Sequence, residues 1–163
     1  MSSDETDAEL WAKVVAAERN YTDAKAAFYQ NVSSRRALLS SALRGRSAAE
    51  RAAALDFLDG IPKDVPLLVD ELIDLATHTG WALYAKRAIG LNRARREVRR
   101  SIEDRLRSAD SIDFRRLAEL LWHMEDWATL RYLTTQAAAS SDPETREVGE
   151  DFDRRLSGEW FRQ

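Results

Sequence analysis

Helix breaks recur along this chain at an almost constant interval, and that interval constrains the fold more than any other feature. Helices are expected to open near Ser47, Gly80, Ile112 and Asp142, positions 33, 32 and 30 residues apart. Each interval holds two amphipathic helices and a break. One such hairpin cannot bury its own apolar face, whereas hairpins stacked side by side bury each other's. The chain has only three prolines and six glycines, and most fall where a helix would start or stop. Alternating β-branched and aromatic runs, the mark of strands, are absent. The expectation is an all-α fold of about nine helices.

Apolar spacing fixes the helices in turn. Leu10, Val14, Ala17, Tyr21, Ala24 and Phe28 share one face of a helix from about Asp7 to Gln30, after a tail over 1–6. A second helix carries Leu38, Leu39 and Leu43 and stops at Gly45. Ser47-Ala48-Ala49-Glu50 has the form of a capping box and opens a helix ending at Gly60. Pro62-Lys63-Asp64 reads as a turn, with Pro66 in the first turn of the next helix. Trp81 to Ile89 follows, then a helix capped by Asn92 with the stripe Ala94, Val98, Ile102, Leu106. The remaining helices start at Asp110 or Ser111, after Glu125-Asp126, and at Asp142-Pro143-Glu144. The hairpins fall near 7–45, 47–78, 80–108, 111–140 and 142–157, within one domain over 7–163.

Two stretches carry a family resemblance. Ser47 to Leu55, followed by Pro62-Lys63-Asp64-Val65-Pro66-Leu67-Leu68, resembles one HEAT unit. Asp142-Pro143-Glu144-Thr145-Arg146 is similar to the Asp-Pro…Arg entry of HEAT first helices. The unit opening Gly80-Trp81-Ala82-Leu83 departs from that pattern, and its second helix is unusually basic. The resemblance implies an α-α superhelix of stacked antiparallel hairpins with second helices on the concave side. An irregular helical bundle with evenly spaced breaks is the alternative.

Charge supplies the sharpest local feature. Residues 79–110 hold nine Lys or Arg against four acids, while 61–78 sum to −3 and 111–163 to −4. Arg93, Arg96, Arg100 and Arg107 fall within about 60° on a helix, opposite the apolar stripe. They form a candidate strip for an acidic partner or a phosphate backbone. The competing reading is a solvated face laced by the i, i+4 pairs Arg93–Glu97, Arg99–Glu103 and Arg100–Asp104. Trp122 and Trp127 bracket Glu125-Asp126 and are either core or an exposed anchor pair.

Catalytic signals are missing. The chain has no cysteine and two histidines, so thiolate chemistry and Cys-based metal sites are excluded. Glu119 and His123 share a face at i, i+4, too few ligands for zinc or di-iron, and His123 reads as a partly buried structural histidine. No Gly-rich phosphate loop occurs. The acidic start, with Asp4, Glu5, Asp7 and Glu9, is unlike a signal peptide, and no apolar run is long enough to span a membrane. The expectation is a cytoplasmic, cofactor-free, non-enzymatic protein-binding scaffold, an adaptor or an inhibitor of the immunity-protein or antitoxin kind. Nucleic acid is the alternative partner of the arginine strip. A HEAT-like lyase or DNA glycosylase is the more distant reading.

Overall fold

The computed structural model describes residues 6–78, 80–90 and 94–157. Among them are nine α-helices, one 3-10 helix and no strand, so the chain is all-α. The α-helices are α1 (Asp7–Asn31), α2 (Arg35–Arg44), α3 (Ala48–Gly60), α4 (Val69–His78), α5 (Ala82–Gly90), α6 (Arg95–Arg105), α7 (Ser111–His123), α8 (Trp127–Ala138) and α9 (Pro143–Leu156). The 3-10 helix, Pro62–Leu67, lies between α3 and α4. The helices fall into two compact units, Met1–Leu38 and Leu39–Gln163.

In the first unit, α1 begins with a reciprocal cap. The Thr6 hydroxyl accepts from the Glu9 amide at 3.3 Å, and the Thr6 amide donates to the Glu9 carboxylate at 2.8 Å. That backbone bond, with the Thr6 hydroxyl, holds the Glu9 carboxyl below its usual range. At the other end the Arg35 guanidinium lies 4.8 Å over the Tyr29 ring and donates to the Tyr29 carbonyl, fixing the turn into α2. No α1 side chain is buried.

The second unit is built by wide apolar stripes. Helix α4 buries Val69, Leu72, Ile73 and Ala76; α7 buries Phe114, Leu117, Ala118 and Leu121; α8 buries Leu130, Leu133, Thr134 and Ala137. Each set repeats at i, i+3, i+4 and i+7 and covers a broad helix face. Fully buried Leu, Ile and Phe side chains contribute about 1.5–3 kcal/mol each. Helix α3 packs on α5, α5 on α7 and α7 on α9, while α4 packs on α6 and also meets α5 and α7. Helix α8 packs on both α7 and α9.

Polar bonds repeat at nearly the interval of the helix breaks. Ser40 donates to Glu71, Ser101 to Asp70, and Arg105 to Asp74, each 31 residues apart. Ser111 donates to Glu144 across 33 residues and Arg115 to Asp151 across 36.

The segment after α3 departs from the sequence reading. Pro66 does not open α4; it lies inside the 3-10 helix, and α4 starts at Val69. Pro66 has no N–H, and its ring disfavours α geometry at Val65. The segment therefore tightens to i, i+3 bonding, closed by the Leu68 amide on the Val65 carbonyl at 2.9 Å. Several apolar residues expected on packed faces are also exposed: Leu10, Val14, Leu38, Leu83 and Tyr84.

Two carboxylates tie down α9. Asp142 caps it, accepting from the Thr145 hydroxyl at 2.6 Å and the Thr145 amide at 2.9 Å, and these bonds hold its carboxyl below the ordinary range. For Asp151, partial burial pushes the carboxyl up, but the hydrogen bonds and charges of Arg115 and Arg155 outweigh it and the net direction is down. Both groups bind a proton less readily folded than unfolded. Their contribution is present above the unfolded carboxylate pKa of about 4 and is lost as pH falls below it. Urea midpoints should therefore fall as the solution is acidified through that range. An Asp142→Asn/Asp151→Asn double variant should show a shallower fall, and an unchanged slope would contradict this assignment.

Candidate functional site

Helix α6 carries the arginine strip, and its buried face sets the strip's direction. Of the apolar stripe, Ala94, Val98 and Ile102 are buried and Leu106 is half-buried, so the opposite side faces solvent. Ser101 is buried as well and donates to Asp70.

The described arginines of this segment divide into two groups. Arg99 donates to Glu103 at 2.8 Å, lies 5.9 Å over the Tyr132 ring, and has its pKa raised chiefly by the Glu103 hydrogen bond. Arg105 donates to Asp74 at 2.6 Å, to the Asp70 carbonyl at 3.0 Å and to the Ser101 hydroxyl at 3.2 Å. Arg107 pairs with Asp104 at 3.3 Å. Arg95, Arg96 and Arg100 are exposed and have no ion-pair or hydrogen-bond partner among the described residues.

Of the strip read from sequence, Arg96 and Arg100 are thus exposed and unpaired, and Arg107 is exposed but paired. Arg93, its Glu97 pair and the Asn92 cap lie outside the described residues or depend on them. The expected Arg100–Asp104 pair does not form. Arg107, just past the end of α6, takes Asp104 instead at i, i+3. Sequence reasoning missed Arg105, whose partners on α4 lie 31 and 35 residues away.

A groove of about 780 Å³ adjoins the C-terminal end of α6, lined by Leu106, Ile112, Tyr132, Glu103, Asp142 and Glu144 among others. Its carboxylates are already engaged: Glu103 by Arg99, Asp110 by the Asp113 amide, Asp142 by Thr145 and Glu144 by Ser111. Ile112 stands exposed at its edge.

Trp122 and Trp127 are half-buried and spend their rings on each other. They meet edge-to-face at 5.6 Å, and Trp122 meets Phe152 at 6.4 Å. They close the α7–α8 turn, where Glu125 adopts the left-handed conformation at φ 53°. His123 is exposed, contrary to the expectation of partial burial; as the residue after Trp122 it lies about 100° around α7 from it.

One row has the outline of a nucleophile relay. The Thr77 hydroxyl lies 2.7 Å from His78 Nδ1, and His78 Nε2 lies 3.3 Å from Asp113. Thr77 donates its proton to the Ile73 carbonyl at 2.7 Å, however, so the imidazole has no hydroxyl proton to withdraw. The row ties the end of α4 to α7. Among the described residues no group of three or more His, Cys, Asp or Glu side chains is arranged to hold a metal ion. None of their helices is long and apolar enough to cross a membrane.

No protein-family model, no curated protein and no solved structure matches the chain.

Proposed function

We propose that the chain is a non-enzymatic protein-binding module, an adaptor or inhibitor whose second unit is a HEAT-like α-solenoid. The contact sequence α3–α5–α7–α9 and the polar bonds at 31 to 36 residues support the stacked-hairpin reading. The observation that carries the binding reading is the trio Arg95, Arg96 and Arg100, exposed and unpaired among the described residues, on a segment whose Arg99, Arg105 and Arg107 are all paired. A guanidinium left without a local carboxylate presents its planar donor fork to a carboxylate from elsewhere. The preferred partner is therefore a protein with an acidic surface.

Nucleic acid is the second reading for the same strip. Single-strand binders place aromatic rings beside their cations so that bases can stack. Tyr132, the ring beside α6, already lies under Arg99, which favours protein.

The test is affinity capture from lysate of the source cell, with and without nuclease, using the native chain and an Arg96→Glu/Arg100→Glu variant. The expected result is one stoichiometric protein that survives nuclease and whose affinity for the variant falls at least about tenfold, or about 1.4 kcal/mol. Exposed substitutions of this kind change stability by no more than about 0.5 kcal/mol, so the melting temperature should hold. Capture that vanishes with nuclease moves the assignment to nucleic acid. Undiminished capture by the variant removes the strip from the interface.

A further inference from the structure

Helix α1 differs from the helices of the second unit in the width of its apolar stripe. Leu10, Val14, Ala17, Tyr21, Ala24, Phe28 and Asn31 are spaced alternately by four and three residues, a strict 3.5-residue repeat. In α4, α7 and α8 the stripe includes the next residue too, as in Leu72-Ile73, Leu117-Ala118 and Leu133-Thr134. The corresponding positions of α1 are Trp11, Glu18 and Lys25, two of them charged. A wide stripe lies on a globular core; a narrow one sustained over three heptads is the seam of a coiled coil and takes a single helix as its partner. Leu10, Trp11 and Val14, at the N-terminal end of this seam, are 48%, 67% and 56% exposed.

The seam is complementary to itself when reversed. Laid antiparallel on a copy of α1 and centred at Arg19, Leu10 meets the second copy's Phe28, Val14 meets its Ala24, and Ala17 meets its Tyr21. Most layers then join a small residue to a large one, which keeps the interhelical distance even. A parallel pair would instead stack Ala17 on Ala17 and Tyr21 on Tyr21, alternating pinched and swollen layers. The reversed register also sets Trp11 of one copy beside the Lys25–Tyr21 pair of the second, in which the Lys25 ammonium lies 5.1 Å over the Tyr21 ring. Glu18 faces its own counterpart at the centre, on the solvent edge where salt screens the repulsion.

We propose that α1 forms an antiparallel two-stranded coiled coil with α1 of a second copy of this chain. The pairing stands independently of the arginine strip. With both in place, each dimer presents two strips, and a partner with repeated acidic sites gains affinity from simultaneous engagement.

Sedimentation velocity of the full chain, from low micromolar to a few hundred micromolar, should show the mass doubling as concentration rises. Ala17→Glu places a charge in the seam at a position that tolerates Glu as a helix former. It should abolish the dimer without changing helical circular dichroism. Because the chain has no cysteine, introduced thiols report the register. A variant carrying both Val14→Cys and Ala24→Cys should oxidise to a covalent dimer, while Val14→Cys alone should not. Residues 14 and 24 of one helix stand about 15 Å apart, too far for an internal disulfide. A chain that stays monomeric throughout, or a dimer indifferent to Ala17→Glu, overturns the proposal. Efficient cross-linking by Val14→Cys alone overturns the antiparallel register.

Discussion

Replacing Phe152 by alanine should lower the stability of the second unit by about 3–5 kcal/mol, the cost of emptying a large aromatic site in a packed core. Phe152 is 1% exposed and reaches into the α7–α8 corner, where its ring lies 6.4 Å from that of Trp122. Trp122 in turn holds Trp127 edge-to-face, and the Arg155 guanidinium sits 5.0 Å over the Phe152 ring from the solvent side. Removing the ring leaves Trp122 with one aromatic neighbour in place of two among the described residues and strips Arg155 of its cation–π support. Domains of ordinary stability have about 5–15 kcal/mol in total, so this change takes a large share. Urea unfolding followed by tryptophan fluorescence measures it directly. The native emission should also shift to the red as Trp122 gains water. A loss below about 1 kcal/mol would mean that the corner collapses to fill the space.

Gly149→Val should cost about 3 kcal/mol, with Gly149→Ala smaller but of the same sign. Glycine within a helix ordinarily weakens it, and alanine gains up to about 1 kcal/mol by helix propensity. At Gly149 the propensity is overridden by proximity. A Cβ added there would stand 3.0 Å from the Ala138 amide nitrogen, 3.0 Å from the Thr134 carbonyl oxygen and 3.1 Å from the Ala137 Cβ. Two of those atoms are backbone of α8 and cannot rotate away. The extra carbon must push α9 off α8, and forcing atoms into a filled interior costs about 1–3 kcal/mol. Valine adds a second branch and its own helix penalty. Thermal unfolding should register the loss at about 2–4 °C per kcal/mol for a chain of this size. A melting temperature raised by Gly149→Ala would show that the two helices have room to spare.

Much of this architecture was legible in the residues, because caps and stripes are local. Ser47, Asp110 and Asp142 announce helix starts by side-chain chemistry three residues deep, and each caps the helix expected of it. The stripes of α4, α7, α8 and α9 name their buried residues because a broad apolar face has one use in a globular unit. What a stripe cannot say is whether another element covers it. Leu83, Tyr84, Ala88 and Ile89 all belong to the helix read over Trp81 to Ile89, yet the first two are exposed and the last two buried. The arginine strip divides in the same way. Its direction follows from Ala94, Val98 and Ile102 alone. Which arginines are neutralised depends on Asp70 and Asp74, brought over from α4, and on the competition of Arg107 with Arg100 for Asp104.

The polar bonds that span about one interval between helix breaks have a temporal meaning as well as a spatial one. Ser40 to Glu71, Asp74 to Arg105, Ser111 to Glu144 and Arg115 to Asp151 each join residues separated by 31 to 36 positions. A ribosome adding about 5–20 residues per second completes such a pair within seconds of making its first member. Each such bond has its second member synthesised soon after the first, and the loop it closes stays short.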